Sequence, residues 1–340
     1  MSKRGPLDSF FQPTQPKKPK YEASVEKTHH ASYPFPVPHF PAPFAEQLSS
    51  SPAVSAGTAM VNRPEFPHLD IVLHRPYIAA SISGGVFAFL RQELFFYRVV
   101  YTINRGGIDT VVKTPRFTTV FGVDATSRFA SDGALVDAKT GRPVDAARYK
   151  CTPRPLPACL HDLRRVVEAT TGETFNFCLV NYYADGSDSI AYHSDDERFL
   201  GDNPAIASIS LGARREFCFK HKPVPPSDAA SPSPAAQTQT LVPSQQPKVL
   251  KLALGSGDMV LMRGSTQKNW LHAVPKRAGV ANAVGQGRIN ITFRKALVRG
   301  GTENYYAYNV GKGQVFRWGE REGKMMPWTG EGSGDGVVCV

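Results

Sequence analysis

The chain has 340 residues and a formal net charge of +11, with 41% hydrophobic and 20% charged residues. Those values allow one large folded domain or two small ones and exclude a wholly disordered polyanion, while the basic balance favours polyanionic partners, nucleic acid first among them. Five scattered cysteines without paired spacing argue against a disulfide scaffold or a zinc site, and no apolar run is long enough to span a bilayer.

In chain order, residues 1 to about 60 are rich in Pro, Ser, Lys and His and show no periodicity, which predicts a disordered arm. Lys3 and Arg4 precede no apolar stretch, so the start does not read as a secretory signal. Folded structure is expected from near residue 66. Val86, Phe89, Leu90, Leu94 and Tyr97 predict a helix over 82–97. Two β-rich runs, 99–103 and 110–112, flank Asn104-Arg105-Gly106-Gly107 and predict a hairpin. Leu160, Leu163, Val166 and Val167 line one face of a second helix at 158–171, which Gly172 stops.

After Gly172 the pattern turns to short strands: 175–180, 206–211, 216–219, 249–254, 259–262 and 288–294. Many short strands after a helical start predict a mainly β fold with flanking helices, a β-sandwich or jelly roll. Residues 222–247 hold Pro, Ser, Ala and Gln and read as a disordered insertion in a loop. Residues 61–296 thus form the catalytic-sized domain. Residues 297–340 form an extension whose Tyr305, Tyr306, Tyr308, Phe316, Trp318 and Trp328 are available to pack on the core, before a loose Gly-rich end.

His193-Ser194-Asp195 places an imidazole and a carboxylate two residues apart, on one side of an extended segment, where both can reach one metal ion. His272 lies downstream. Two histidines and a carboxylate suit a non-haem iron site with three open positions. Each piece alone has an ordinary structural explanation. The last strand shifts the balance. Arg288, Asn290, Thr292 and Arg294 share one face, and Ile289, Ile291 and Phe293 the other. Arginine grips carboxylates with a two-pronged fork, which a dicarboxylic cosubstrate such as 2-oxoglutarate requires. Asn181 and Tyr183 share a face of an earlier strand and offer further hydrogen bonds.

Together, Asn181-Tyr-Tyr183, His193-Ser-Asp195-Asp196-Glu197, His272-Ala-Val-Pro275 and Arg288-x-Asn-x-Thr-Phe-Arg294 resemble the AlkB family of nucleic-acid dioxygenases, and most of all its eukaryotic DNA-repair members. The resemblance covers roughly residues 95–296. It implies a double-stranded β-helix, and iron(II) held by His193, Asp195 and His272. It also implies 2-oxoglutarate held by Asn181, Tyr183, Arg288, Asn290, Thr292 and Arg294, with O2 as the other cosubstrate. The activity implied is demethylation of N1-methyladenine and N3-methylcytosine in DNA, releasing formaldehyde, succinate and carbon dioxide. Arg116, Phe121, Gly122 and Tyr149 would line the base pocket, and Asp196 and Glu197 would face a cationic base.

The duplex-specialised members carry an apolar wedge on the hairpin. Here its tip is polar and cationic, with Asn104 and Arg105 flanked by Ile103 and Ile108. Arg4-Gly-Pro-Leu7-Asp-Ser-Phe10-Phe11 resembles a sliding-clamp-binding motif, through Leu7, Phe10 and Phe11, with Arg4 where that pattern has Gln. Pro16-Lys17-Lys18-Pro19-Lys20 reads as a nuclear import signal or a solvated charge cluster. A nuclear, monomeric enzyme that acts on DNA without a membrane is the resulting expectation. Two alternatives stay open: the same chemistry on RNA or protein, and a non-catalytic clamp-recruited adaptor.

Overall fold

A computed structural model of the chain describes residues 26–50, 58–60, 63–223, 249–277 and 287–330. The clamp-like and basic motifs lie outside these residues, as does the 222–247 insertion apart from its first two positions.

Two antiparallel sheets build the core. The larger has ten strands, in the order Lys324–Pro327, Val315–Gly319, Phe96–Tyr97, Phe117–Gly122, Phe177–Tyr183, Arg288–Arg294, Ile206–Gly212, Met259–Arg263, Asp70–His74 and Thr58–Met60. The smaller has four: Ile190–His193, Trp270–Val274, Arg215–His221 and Val249–Leu254. From residue 177 onward the chain passes back and forth between the sheets, which gives the expected jelly roll. Between them pack Tyr183, Phe217, Phe219, Leu254, Met262 and Trp270. Ile289, Ile291 and Phe293 turn the other way, into the main core with Val86, Phe89 and Leu90 of helix Ala80–Glu93 and Leu160, Leu163 and Val167 of helix Ala158–Thr171. Gly172 ends the second helix at φ 71°, where the left-handed conformation favours glycine, and its N–H caps Glu168 O. The first helix stops earlier than its periodicity predicts. Leu94 is already extended, and Phe96–Tyr97 joins the large sheet.

The expectation of a disordered arm over 1–60 fails for its second half. Lys27–Thr28 pairs with Val37–Pro38, a helix runs Ala42–Ser50, and Tyr33, Phe35, Val37, Phe40 and Leu48 are buried. Phe35 packs edge-on to Phe95 and Trp328, and Phe40 lies 5.0 Å from Phe89. Aromatics spaced by prolines bury one by one against the helical layer, without any period to betray them. The C-terminal extension is likewise integral: Val315–Gly319 and Lys324–Pro327 prolong the large sheet, and Tyr305 and Tyr306 are buried. Tyr308, by contrast, is exposed. Cys159, Cys178 and Cys218 are free buried thiols. Cys151 is buried in the main hydrophobic core.

Candidate active site

His193 ends the Ile190–His193 strand and lies directly opposite His272 on Trp270–Val274. Cross-strand partners sit close, and the two rings have centroids 4.2 Å apart. The His193 Nδ1–H donates to Ala191 O at 2.9 Å, because a carbonyl can only accept. That fixes the tautomer and leaves Nε2 with its lone pair. His272 stacks on Phe217 at 5.5 Å and is buried. Burial, with the His193 ring beside it, pushes its pKa down to about 3, so it is neutral and able to ligate.

Asp195 follows in the irregular segment after the strand. Its backbone N–H donates to Gln267 Oε1. Arg294 Nε and Nη2 donate to its Oδ2 at 3.1 and 2.7 Å, and Tyr305 donates toward Oδ1 at 3.1 Å. Burial disfavours the ionised carboxyl, but the charge of Arg294 and its hydrogen bonds outweigh it and hold the group well below the usual carboxylate range. The donor atoms of His193, Asp195 and His272 all lie within 4.8 Å of one another. Adjacent ligands of a facial set, each about 2.1 Å from the metal, sit about 3 Å apart, so closure onto one ion needs movements of up to about 2 Å. Two imidazoles and one carboxylate on one side of a cavity fit iron(II) with open positions.

The cavity beside this triad is narrow and lies between the sheets. Leu179, Asn181, Tyr183, Ser208, Asn290, Thr292 and Arg294 are among its walls. Arg288 stands behind it, fully buried, its guanidinium carbon 5.4 Å from the Tyr183 ring centroid. Nη2 donates to Ser210 Oγ at 2.8 Å, while Nε and Nη1 have no partner, nor does Nη1 of Arg294. Burial lowers the Arg288 pKa to about 10, so it remains a cation. A buried guanidinium with two idle donors and no carboxylate is costly unless an anionic ligand completes it. The donor set therefore fits a dicarboxylate. Arg116 Nε donates to Asn181 Oδ1 at 2.9 Å, leaving the amide N–H groups of Asn181 for a ligand's oxygens. Asn290 donates to Ser208 Oγ and Ile209 O and accepts from Thr292, so it braces the wall.

The expected base-pocket residues fare differently. In strand Phe117–Gly122, Val120 pairs with the cavity residue Leu179, and Phe121 pairs with Cys178 on the opposite face. Phe121 is fully buried against Tyr33 and Phe95, a core aromatic rather than a stacking platform. Gly122 is needed for space. Its φ is 100°, and a Cβ there would lie 2.2 Å from Asn176 O. Tyr149 is buried with its hydroxyl on Ser127, away from the cavity walls. Asp196 is exposed and pairs with Lys222 at 2.7 Å. Glu197 accepts from Tyr305 at 3.2 Å. Tyr305 and Gln267, both on the metal-site aspartate, escaped sequence reasoning, because neither short helix carrying them has a readable period.

A jelly roll that gathers two histidines and an aspartate beside a cavity with arginines in its wall and behind it defines a metal-dependent oxygenase of the 2-oxo-acid type. The model of the 2OG-Fe(II) oxygenase superfamily matches residues 118–294, and the chain belongs to that superfamily. It is 39% identical over 147 residues to human DNA oxidative demethylase ALKBH2, covering 43% of this chain and 49% of that protein. The Arabidopsis thaliana protein of the same name is 37% identical over 143 residues, covering 42% and 44%. Rat alpha-ketoglutarate-dependent dioxygenase alkB homolog 3 is 38% identical over 154 residues, covering 45% and 46%. The matched stretch thus spans about half the length of each of these curated relatives.

Proposed function

We propose that this protein is an iron(II)- and 2-oxoglutarate-dependent dioxygenase that removes N-methyl groups from the pairing edge of bases in DNA, with N1-methyladenine and N3-methylcytosine as substrates. The observation that carries the reading is the His193–Asp195–His272 cluster, its two histidines lining the same cavity as Arg294, with Nε and Nη1 of buried Arg288 lacking a hydrogen-bond partner behind Tyr183. The DNA substrate is supported by relatives named as DNA oxidative demethylases and by the net charge of +11. A nuclear location follows from that substrate.

Bound together, iron(II) and 2-oxoglutarate supply the O2-driven oxidation of a methyl C–H bond, with succinate, carbon dioxide and formaldehyde released. The chain's own groups prepare that step. Ala191 O orients His193, Phe217 holds the His272 ring, and Arg294 with Tyr305 fixes Asp195. Arg288, Asn181 and Tyr183 would bind the cosubstrate's carboxylates, and the enclosing sheets would exclude water. A target base must leave its stack to enter, which costs least for a lesion that cannot pair. The Val100–Arg105 and Ile108–Lys113 hairpin, separate from both core sheets and carrying exposed Ile108 and Val111, is suited to press on the base stack.

The test incubates full-length protein with iron(II), ascorbate and 2-oxoglutarate on N1-methyladenine in single-stranded DNA, duplex DNA and RNA, following methyl loss by mass spectrometry. Metal- and 2-oxoglutarate-dependent repair of DNA, lost in His193→Ala, is the expected result. Repair of RNA alone would move the substrate class. No succinate on any substrate would overturn the reading.

A further inference from the structure

The helix Glu303–Asn309 lies outside residues 118–294, the part that matches the superfamily, yet it reaches the metal-site carboxylate. The Tyr305 hydroxyl is 3.1 Å from Asp195 Oδ1 and 3.2 Å from Glu197 Oε1. Its ring is buried between Phe177 and Phe199, at 5.3 and 5.9 Å, with the Arg294 guanidinium 5.2 Å from its centroid. The helix is pinned to the fold at several points. Tyr306 donates to Gly122 O, Thr118 donates to Asn309 O, and Glu303 accepts from the Lys150 N–H. Tyr305 is therefore a fixed group aimed at Asp195.

We propose that Tyr305 is a positioning residue of the metal centre: its hydroxyl, supplied by the C-terminal extension, holds Asp195 in the orientation that ligates. Arg294 occupies Oδ2 with two N–H groups, and Tyr305 is the partner of Oδ1. A terminal carboxylate torsion is broad, so a carboxylate gripped at one oxygen can still pivot about it. The second contact, from another element, removes that freedom. The hydroxyl has one proton and two acceptors, so Glu197 competes with Asp195 for it. Outer partners of this kind change metal affinity by about 10–100-fold when removed.

The inference rests on the triad's binding a metal and not on the nucleic-acid substrate. Titration of full-length protein with Mn(II), followed by electron paramagnetic resonance of the free ion, separates the two. Tyr305→Phe keeps the ring and should bind Mn(II) about tenfold more weakly than the parent while melting at a similar temperature. Affinity within twofold of the parent would overturn the proposal. A parent that binds no Mn(II) would instead overturn the metal reading of the triad. Should Tyr305→Phe fail to fold, 3-fluorotyrosine placed at position 305 keeps the hydroxyl. Its fluorine resonance should then move along the Zn(II) saturation curve, and an unmoved resonance would overturn the proposal.

Discussion

Arg288 lies over the ring of Tyr183, 5.4 Å from its centroid, with a hydrogen bond to Ser210 and two nitrogens, Nε and Nη1, that have no hydrogen-bond partner. Stability alone does not explain such a group. Replacing a buried cation that lacks a carboxylate partner with an apolar side chain should leave the apoprotein as stable or more so. The loss should fall on the ligand. Hydrogen bonds to charged groups contribute about 1.5–3 kcal/mol, so Arg288→Met should weaken 2-oxoglutarate about ten- to a hundredfold. A ligand at a hundred times its Kd stabilises the parent by about 2.7 kcal/mol. At that concentration, with Mn(II) present, the rise in melting temperature should fall to about half or less in Arg288→Met. An equal rise in both proteins would show that Arg288 does not bind the cosubstrate.

The apoprotein should be acid-sensitive through His272. Burial holds its folded pKa at about 3, below the ordinary 6.5, so the unfolded chain binds more protons between those values. Its contribution to stability is complete above about pH 6.5 and is lost as pH falls toward 3. At pH 5 the deficit relative to pH 7 is on the order of 2 kcal/mol. Asp195, whose pKa is depressed from the carboxylate range, adds its loss only at lower pH. Urea unfolding of chelator-treated protein at pH 7 and 5 measures the difference, which should shrink in His272→Gln. An unchanged pH dependence would mean that His272 takes up protons alike in the folded and unfolded chains.

Phe121 separates a core role from a substrate role. Its ring contacts Phe95 and Tyr33, so Phe121→Ala should cost about 3–5 kcal/mol of stability. The KM for a methylated oligonucleotide, measured on folded enzyme well below its melting temperature, should stay within about twofold of the parent. A raised KM at unchanged stability would return Phe121 to the base pocket.

How far the sequence could be read follows from where its patterns were unambiguous. Strand 288–294 alternates strictly between polar and apolar residues, and its polar face does line the interior. The jelly roll and the glycine-stopped helix were legible for the same reason. Strand Phe117–Gly122 is buried on both faces, so nothing in its composition told Phe121 from Val120. Residues 33–40 bury aromatics held in an extended, proline-spaced chain, which carries no periodic signal at all. Tyr305 sits on a seven-residue helix, too short to show a face, and only the fold reveals that it meets Asp195.

The hairpin offers the sharpest test of substrate form. Gly106 and Gly107 turn it at φ 59° and 84°, the positive values a two-residue hairpin turn needs, and Asn104 accepts from the Gly107 N–H. Just past the turn, Ile108 is 71% exposed, with Val111 beyond it at 68%. An isoleucine this exposed contributes little to folding, so Ile108→Ser should change stability by less than about 0.5 kcal/mol. If the ribbon presses on the base stack, the same change removes apolar contact only where a partner strand must be displaced. Repair of duplex should then fall about five- to tenfold relative to single strands, on the order of 1 kcal/mol. Equal losses on both forms would make the hairpin a general binding element. No loss on either would remove it from the substrate site.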